Sequence, residues 1–517
     1  MNTASAERFR YRAFARGDWN GFFALAVDNL AMLFAMAGIL VGAFRMPADV
    51  VLGRMVPGTA LGVLVGDFAY AWLAWRLARR ERRRDVCAMP LGIDTPSLFA
   101  LTFGVVGPVF ATTGDAGRAW SVGMAVMVIM GTAKIGAAFA GEALRRALPR
   151  TALLAALAGV AVALILYFPF VKIAAEPIGG FVALGVVLIT LVGRIRLPRE
   201  VPVVVVSVVA GLAAWWIARR FGYEPPPLPP GEAVVGLAMP WPSLAFVDGL
   251  AMAVGYAPLA LPVALATVVG GIDNTESAAA AGDRYRTRDI LLVEGAATLV
   301  AGVCGGVIQT TPYIGHPAYK SMGCRAGYVI ATGLALGVGA ATGAIGALIA
   351  VLPESVIVPI LVFVGLEMAE QATSTAEPKH LKAVAIAIVP VLANLVSIQT
   401  GLVLAGAGAD PSKLPAELGR TLLATTMLGN GFIVTSMLWS AWTVDVVDGR
   451  HGRAAVIAAT GAVASLFGLV HSPFADGRWF VPGGAGVPAA AYAFATGYAL
   501  LAGVTWLAGR WRAYASR

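Results

Sequence analysis

Apolar residues recur in runs of roughly 20, the length a helix needs to cross a hydrocarbon core of about 30 Å. The first group of runs covers 19–44, 51–78, 96–112, 119–140, 151–170, 177–192 and 201–217. A second group covers 259–282, 290–308, 317–323, 328–352, 356–368, 381–396 and 422–442, and two more runs follow at 454–470 and 488–507. Lipid offers no partner to backbone N–H and C=O groups, so a spanning chain must form a helical bundle or a closed barrel. The alternating ten-residue segments of a barrel do not occur. The pattern therefore predicts an all-α polytopic membrane protein of about sixteen segments.

Between the two groups, the stretch 223–242 contains PPPLPP, which no ordinary helix accommodates. It divides the chain into a tail (1–18), a first seven-segment repeat (19–220), a Pro-rich linker (221–250), a second seven-segment repeat (251–445) and two additional helices with a short tail (446–517). The halves echo one another. Asp28-Asn29 lies in the first run and Asp273-Asn274 in the eighth, each an acid and an amide inside an apolar helix. Further on, MPLGIDTP sets Gly92, Asp94 and Thr95 between Pro90 and Pro96, and TTPYIGHP sets Gly315 and His316 between Pro312 and Pro317. Matched Gly/Pro interruptions before short apolar segments mark half-helices at a repeat interface, where transporters place their solute. Because seven spans per repeat is odd, the second copy must be inverted.

Composition agrees with this reading: 58% of residues are hydrophobic and 13% charged, against about half and a quarter in soluble domains. A formal net charge of +9 raises the question of nucleic acid, but the basic residues fall in alternate loops, as the positive-inside rule demands. With the N-terminus inside, the inner loops hold Arg79, Arg80 and Arg82 to Arg84; Arg145, Arg146 and Arg150; Arg194, Arg196 and Arg199; and Arg284, Arg286 and Arg288. Later inner loops hold Lys320 and Arg325, Lys379 and Lys382, Arg450 and Arg453, and finally Arg510, Arg512 and Arg517. Both termini are thus expected in the cytoplasm of a cell with this protein in its inner membrane, with lipid and not nucleic acid as the surroundings. Residues 1–16 lack the apolar core and cleavage site of a signal peptide. Cys87, Cys304 and Cys324 show no CxxC spacing, so neither a disulfide framework nor a zinc site is expected. No cofactor is indicated.

A charge at mid-membrane costs about 2.5–3.5 kcal/mol even on lenient scales, so buried acids must face protein or water. Asp273 and Glu276 share a helix face by their spacing of three. They suit a polar solute, a proton or a cation, or else a structural pair bonded to neighbouring helices. Asp28 and Asn29 are their mirrored counterparts. Around the second break, Thr310, Thr311, Tyr313 and His316 join Gln309 as a dense set of donors and acceptors. His316 can bind solute or exchange a proton, or simply lie at an interface. Around the first break, Asp94, Thr95 and Ser97 either bind solute or cap the half-helix. Asp67 reads as a lone structural acid, and Lys134 as a lysine snorkelling toward the inner headgroups. Glu367 and Glu370 read as solvated charges at a helix end.

The order of these features resembles the nucleobase/ascorbate transporter (xanthine/uracil permease-like) family over about 19–442. GGIDNTES stands where that family carries a substrate-binding acid in its eighth segment, Thr310-Thr311 and Tyr313 are similar to its extended stretch, and FAMAG (34–38) resembles its first segment. The resemblance implies fourteen segments in two inverted repeats, a mobile bundle moving against a scaffold as an elevator, and a homodimer. It implies Asp273 as a substrate-binding residue, with His316 where the family has its second acid. HPAYKSMGCR departs from the family's next motif, in which only Arg325 fits, and the last two helices have no counterpart. The expected function is a secondary active permease for a purine or pyrimidine, coupled to protons, with sodium as the alternative coupling ion. The alternative is a sulfate, bicarbonate or carboxylate carrier of the same fold. No HExxH, GxSxG or P-loop motif supports an enzyme.

Overall fold

The computed structural model describes residues 9–147, 158–195, 197, 203–223, 236–313, 315–407, 409, 413–474, 477, 479–484 and 487–515. Its first half comprises α1 (Gly17–Ala43), α2 (Ala48–Glu81), strand β1 (Leu91–Ile93), α3 (Thr95–Thr113), α4 (Ala116–Ala147), α5 (Ala158–Ala175), α6 (Pro177–Val192) and α7 (Val203–Arg220). The second half comprises α8 (Ala245–Ala280), α9 (Thr287–Val303), strand β2 (Thr310–Pro312), the short α10 (His316–Ser321) and α11 (Gly327–Ala341). It continues through α12 (Pro359–Thr375), α13 (Leu381–Gly406), α14 (Ala416–Gly429) and α15 (Phe432–Val447), and α16 (His451–Leu466) and α17 (Ala489–Ala515) follow. Several starts are dictated locally: proline occupies the first turn of α3, α6, α10 and α12, where its missing N–H costs nothing.

Packing reveals the repeat. Helix α11 lies on α1 and α2, and α4 lies correspondingly on α8 and α9. The pairs α2–α9 and α5–α12 sit at the pseudo-axis, and α6–α7 is matched by α13 with α14 and α15. Adding seven to each segment number therefore maps one set of neighbours onto the other, and the antiparallel β1–β2 pair, Leu91 opposite Pro312 and Ile93 opposite Thr310, lies at its centre. The fold is all-α and polytopic with two inverted seven-segment repeats. Helices α1–α4 and α8–α11 gather around the strands, and α5–α7 with α12–α15 form a second layer that touches the first through α1–α12, α3–α5 and α8–α15.

Two expectations change. Among the described residues, eight helices are long and apolar enough to cross a bilayer alone, and α14 with α15 makes a ninth. Among the remaining expected spans, α6 and α11 are shorter apolar helices, because a segment inside a bundle can stop where its neighbours satisfy its ends. The expected single span 422–442 is bent by 75° between α14 and α15. There Gly431 takes φ +72° and Asn430 donates through Nδ2 to Ser472 O (2.7 Å) and Phe474 O (2.8 Å), tying the bend to the segment before α17. The PPPLPP stretch of the linker lies outside the described residues.

Small residues let α2 and α9 cross in backbone contact. A Cβ at Gly306 would fall 2.7 Å from Thr59 N, one at Gly62 would fall 2.6 Å from Ala301 Cβ, and one at Gly58 would meet the Gly306 backbone. Backbone cannot yield as a side chain does, so Gly58→Val is expected to cost about 3 kcal/mol. Thermal unfolding followed by tryptophan fluorescence in detergent checks this, and an unchanged midpoint would contradict the close crossing.

Candidate functional site

Breaking two helices in mid-membrane leaves backbone groups that lipid cannot satisfy, and here the two breaks satisfy one another. Beyond the ladder itself, Asp94 N donates to Gln309 O (3.0 Å) and Tyr313 N donates to Pro90 O (2.9 Å), a symmetric pair that fixes Asp94 as the counterpart of Tyr313. The two amides predicted as mirror images brace the two strands. Asn29 Oδ1 accepts from Ile93 N (2.8 Å) and its Nδ2 donates to Leu25 O (2.9 Å), while Asn274 Nδ2 donates to Pro312 O (2.5 Å).

Symmetry fails at one place, and a cavity results. The Tyr313 ring lies over Gly92, where any side chain would collide with it, and its hydroxyl donates to Ile93 O (3.1 Å) beside Asp28. That fills the α1 side of the strand pair. On the α8 side the equivalent position holds the much shorter Asp94, and a cavity of about 130 Å³ remains. Asp94, Thr267, Asn274 and Thr311 supply its polar wall, and Val263, Val160 of α5 and Ile433 of α15 its apolar wall, so it lies between the two layers. Asp94 also caps α3: its Oδ2 accepts from Ser97 N (2.8 Å) and Gln309 Nε2 (3.3 Å), and Ser97 Oγ donates to Asp94 O (3.0 Å).

Of the predicted residues, Asp94, Asn274 and Thr311 thus meet at one cavity. Asn29, Thr310 and Ser97 are buried in its support, and Thr95 Oγ1 packs against Met32 Sδ (3.2 Å). Asp28 is half-buried on the Tyr313 side, and Glu276 is exposed one turn beyond the cavity. Asp273 lies within α8, and its side chain is outside the described residues.

His316 is turned elsewhere. It is fully buried with Nε2 3.2 Å from Cys87 O and 3.4 Å from Asp283 Oδ2. Asp283, itself buried, also receives Lys320 Nζ (2.6 Å), Arg83 Nη2 (3.2 Å) and Cys87 N (3.0 Å). One carboxylate thereby clamps the segment after α2, the turn after α8 and the short α10. Burial alone would raise the Asp283 carboxyl, but His316, Lys320 and the Cys87 N–H together hold it below the usual carboxylate range.

The sequence reading of Lys134 is corrected. Lys134 does not snorkel: it is fully buried, its Nζ donates to Thr310 O (3.0 Å), and it pairs at 2.8 Å with Glu294 of α9, also fully buried. A single lysine in one apolar run and a single glutamate in another were the available signal. Thr267 was also missed, because nothing local distinguishes it in the apolar run that holds it.

No family model matches the chain, and no curated protein matches it in sequence. In structure it is similar to the transmembrane domain of a cyanobacterium bicarbonate transporter, BicA, at a TM-score of 0.48 and 18% identity, covering 76% of this chain and 97% of that one. It is similar also to SLC26A9, at a TM-score of 0.46 and 12% identity, covering 75% of this chain and 62% of that one.

Lys134→Met strands Glu294 and is expected to destabilise by about 3–5 kcal/mol, whereas the double variant Lys134→Met, Glu294→Leu recovers most of that loss. Thermal unfolding of the three proteins is the check, and additive losses would show that the pair does not act as a unit. For Asp283, a lowered carboxyl means that the clamp's stabilisation is present above the ordinary carboxylate value of about 4 and is lost as pH falls below it. Between pH 7 and pH 3, wild type should lose more of its thermal midpoint than Asp283→Asn, which starts lower.

Proposed function

We propose that this chain is a secondary transporter of a small, uncharged, hydrogen-bonding solute, with purine and pyrimidine nucleobases as the best-fitting class. The cavity walled by Asp94, Thr311 and Asn274 carries the reading, because it lies beside two broken helices and between two layers of helices. Relative movement of those layers exposes such a cavity to each side in turn. Asn274 uses Nδ2 on Pro312 O, which leaves Oδ1 as an acceptor, and Asp94 adds carboxylate lone pairs. A nucleobase offers ring N–H donors to both and a flat apolar face to Val160, Val263 and Ile433.

The same geometry disfavours a small anion. Anion carriers of this design use the positive N-termini of half-helices, but the N-terminus of α3 already holds the Asp94 carboxylate. The other half-helix, α10, has only 6 residues, too few to build a useful dipole. Lys134, Glu294 and Asp94 carry formal charges that sum to minus one. Asp273, adjacent to Asn274 on the helix that walls the cavity, remains in the proposed site, with Glu276 one turn on; Asp28 and Tyr313 support it from the far side. Proton coupling and assembly as a homodimer complete the reading, and lipid is the remaining partner.

Uptake by proteoliposomes of labelled purines, pyrimidines, sulfate and bicarbonate, under imposed proton or sodium gradients, tests the proposal. Nucleobase uptake with micromolar competition supports it, and flux of sulfate or bicarbonate alone replaces it with the anion reading. Asp94→Asn keeps a good helix cap and should still insert, yet lower uptake roughly 10- to 100-fold, the loss expected for a hydrogen bond to a charged group. Asp273→Asn should abolish uptake with insertion intact.

A further inference from the structure

Asp67 lies in the middle of α2, within LVGDFAY, and is fully buried. Neither carboxyl oxygen has a hydrogen-bond partner; the Leu91 N–H of β1 is near but outside bonding geometry. The contacts α9–α4 and α2–α11 are related by the repeat, and their buried acids fare differently. Glu294 meets Lys134, whereas Asp67 meets Gly333 of α11, where a Cβ would fall 3.2 Å from Asp67 Cβ and 3.4 Å from Oδ2.

Among the described residues, the titratable groups around Asp67 offer no positive charge. Tyr70 on its own helix donates to Ile290 O (3.2 Å). Tyr328 of α11 donates to Ala88 O (2.8 Å), and Tyr319 of α10 stacks on Tyr328 at 4.8 Å. Glu294 of α9, which like Asp67 acts on Tyr70, is engaged with Lys134. An ionised carboxylate with no donor in such surroundings is so costly that the group takes up a proton instead. A sodium ion would need several oxygen ligands at once, and no described group of acids, histidines or cysteines forms a cation site.

A side chain that makes no hydrogen bond gives the fold nothing that a leucine would not give better. Its position supplies a use. Leu91 N–H, the donor that an ionised Asp67 would require, belongs to the three-residue strand whose Gly92 faces Thr311 of the cavity. We propose that Asp67 is the proton-binding group that couples transport to a proton gradient, with strand β1 linking its protonation to occupancy of the cavity. The proposal rests on the transporter reading above. The step is a simple exchange: the neutral acid releases its proton to one side of the membrane, and the carboxylate left behind accepts the Leu91 N–H until it is reprotonated from the other.

Two measurements on the full-length protein separate this from failure of that reading. In lipid at pH 7, the difference infrared spectrum of wild type minus Asp67→Asn should contain the deuterium-sensitive C=O band of a neutral carboxylic acid. Its absence would overturn the proposal whatever the solute is. In proteoliposomes, radiolabelled uracil should accumulate under an inward proton gradient in wild type. Asp67→Asn should lose at least tenfold of that accumulation while retaining uracil exchange at equal concentrations. If wild type moves one of the panel anions instead, the nucleobase reading fails and the same comparison is made with that anion. Gradient-driven accumulation that persists in Asp67→Asn, or that follows sodium in both proteins, would sink the assignment. Should Asp67→Asn not fold, Asp67→Ser serves in its place; collapse of both variants would show a structural acid and end the proposal.

Discussion

Two broken helices can lie inside a membrane only if their exposed backbone finds partners, and the antiparallel pairing of β1 with β2 is what supplies them here. Leu91 to Ile93 and Thr310 to Pro312 exchange ladder bonds, and Asp94 with Gln309 and Tyr313 with Pro90 extend the pairing at both ends. Asn29 and Asn274 brace the two strands from α1 and α8. Every later feature follows from this knot. It joins residues about 220 apart in sequence, so the two halves of the chain cannot fold independently of each other. It also holds polar groups at a depth where the surrounding chain is almost wholly apolar.

Near-symmetry makes the knot, and broken symmetry makes it useful. A perfect repeat would put the same residue after each strand and close or open both sides alike. Tyr313 fills one side, and the shorter Asp94 leaves the other open. The same contrast recurs deeper in the bundle, where Glu294 is matched by Lys134 and Asp67 faces Gly333. Charge is therefore distributed unequally around a symmetric backbone. The Asp283 clamp ties its own turn to two other segments, through Arg83 and Cys87 after α2 and His316 and Lys320 in α10.

Much of this was legible in the sequence, for physical reasons. Hydrocarbon imposes a length on each apolar run, and prolines mark the breaks because they cannot continue a helix. The Asp28-Asn29 and Asp273-Asn274 match correctly pointed to equivalent helices, and their amides do equivalent work on the two strands. What stayed hidden depends on contacts between distant segments. Lys134 looks like a snorkelling residue until α9 brings Glu294 to it across 160 residues. His316 looks like part of the cavity until Asp283 and Cys87 draw it away. The bend at Asn430 to Gly431 depends on carbonyls of residues 472 and 474, which no local window joins to it.

The central claim is that the strand pair lies at mid-membrane and holds cargo on its α8 side. Cryo-electron microscopy of the protein in lipid nanodiscs, with its transported solute at saturating concentration, addresses that claim most directly. The account predicts solute density between Asp94, Thr311 and Asn274, with both strands level with the centre of the lipid layer. Solute bound away from those residues, or strands lying outside the hydrocarbon, would contradict it.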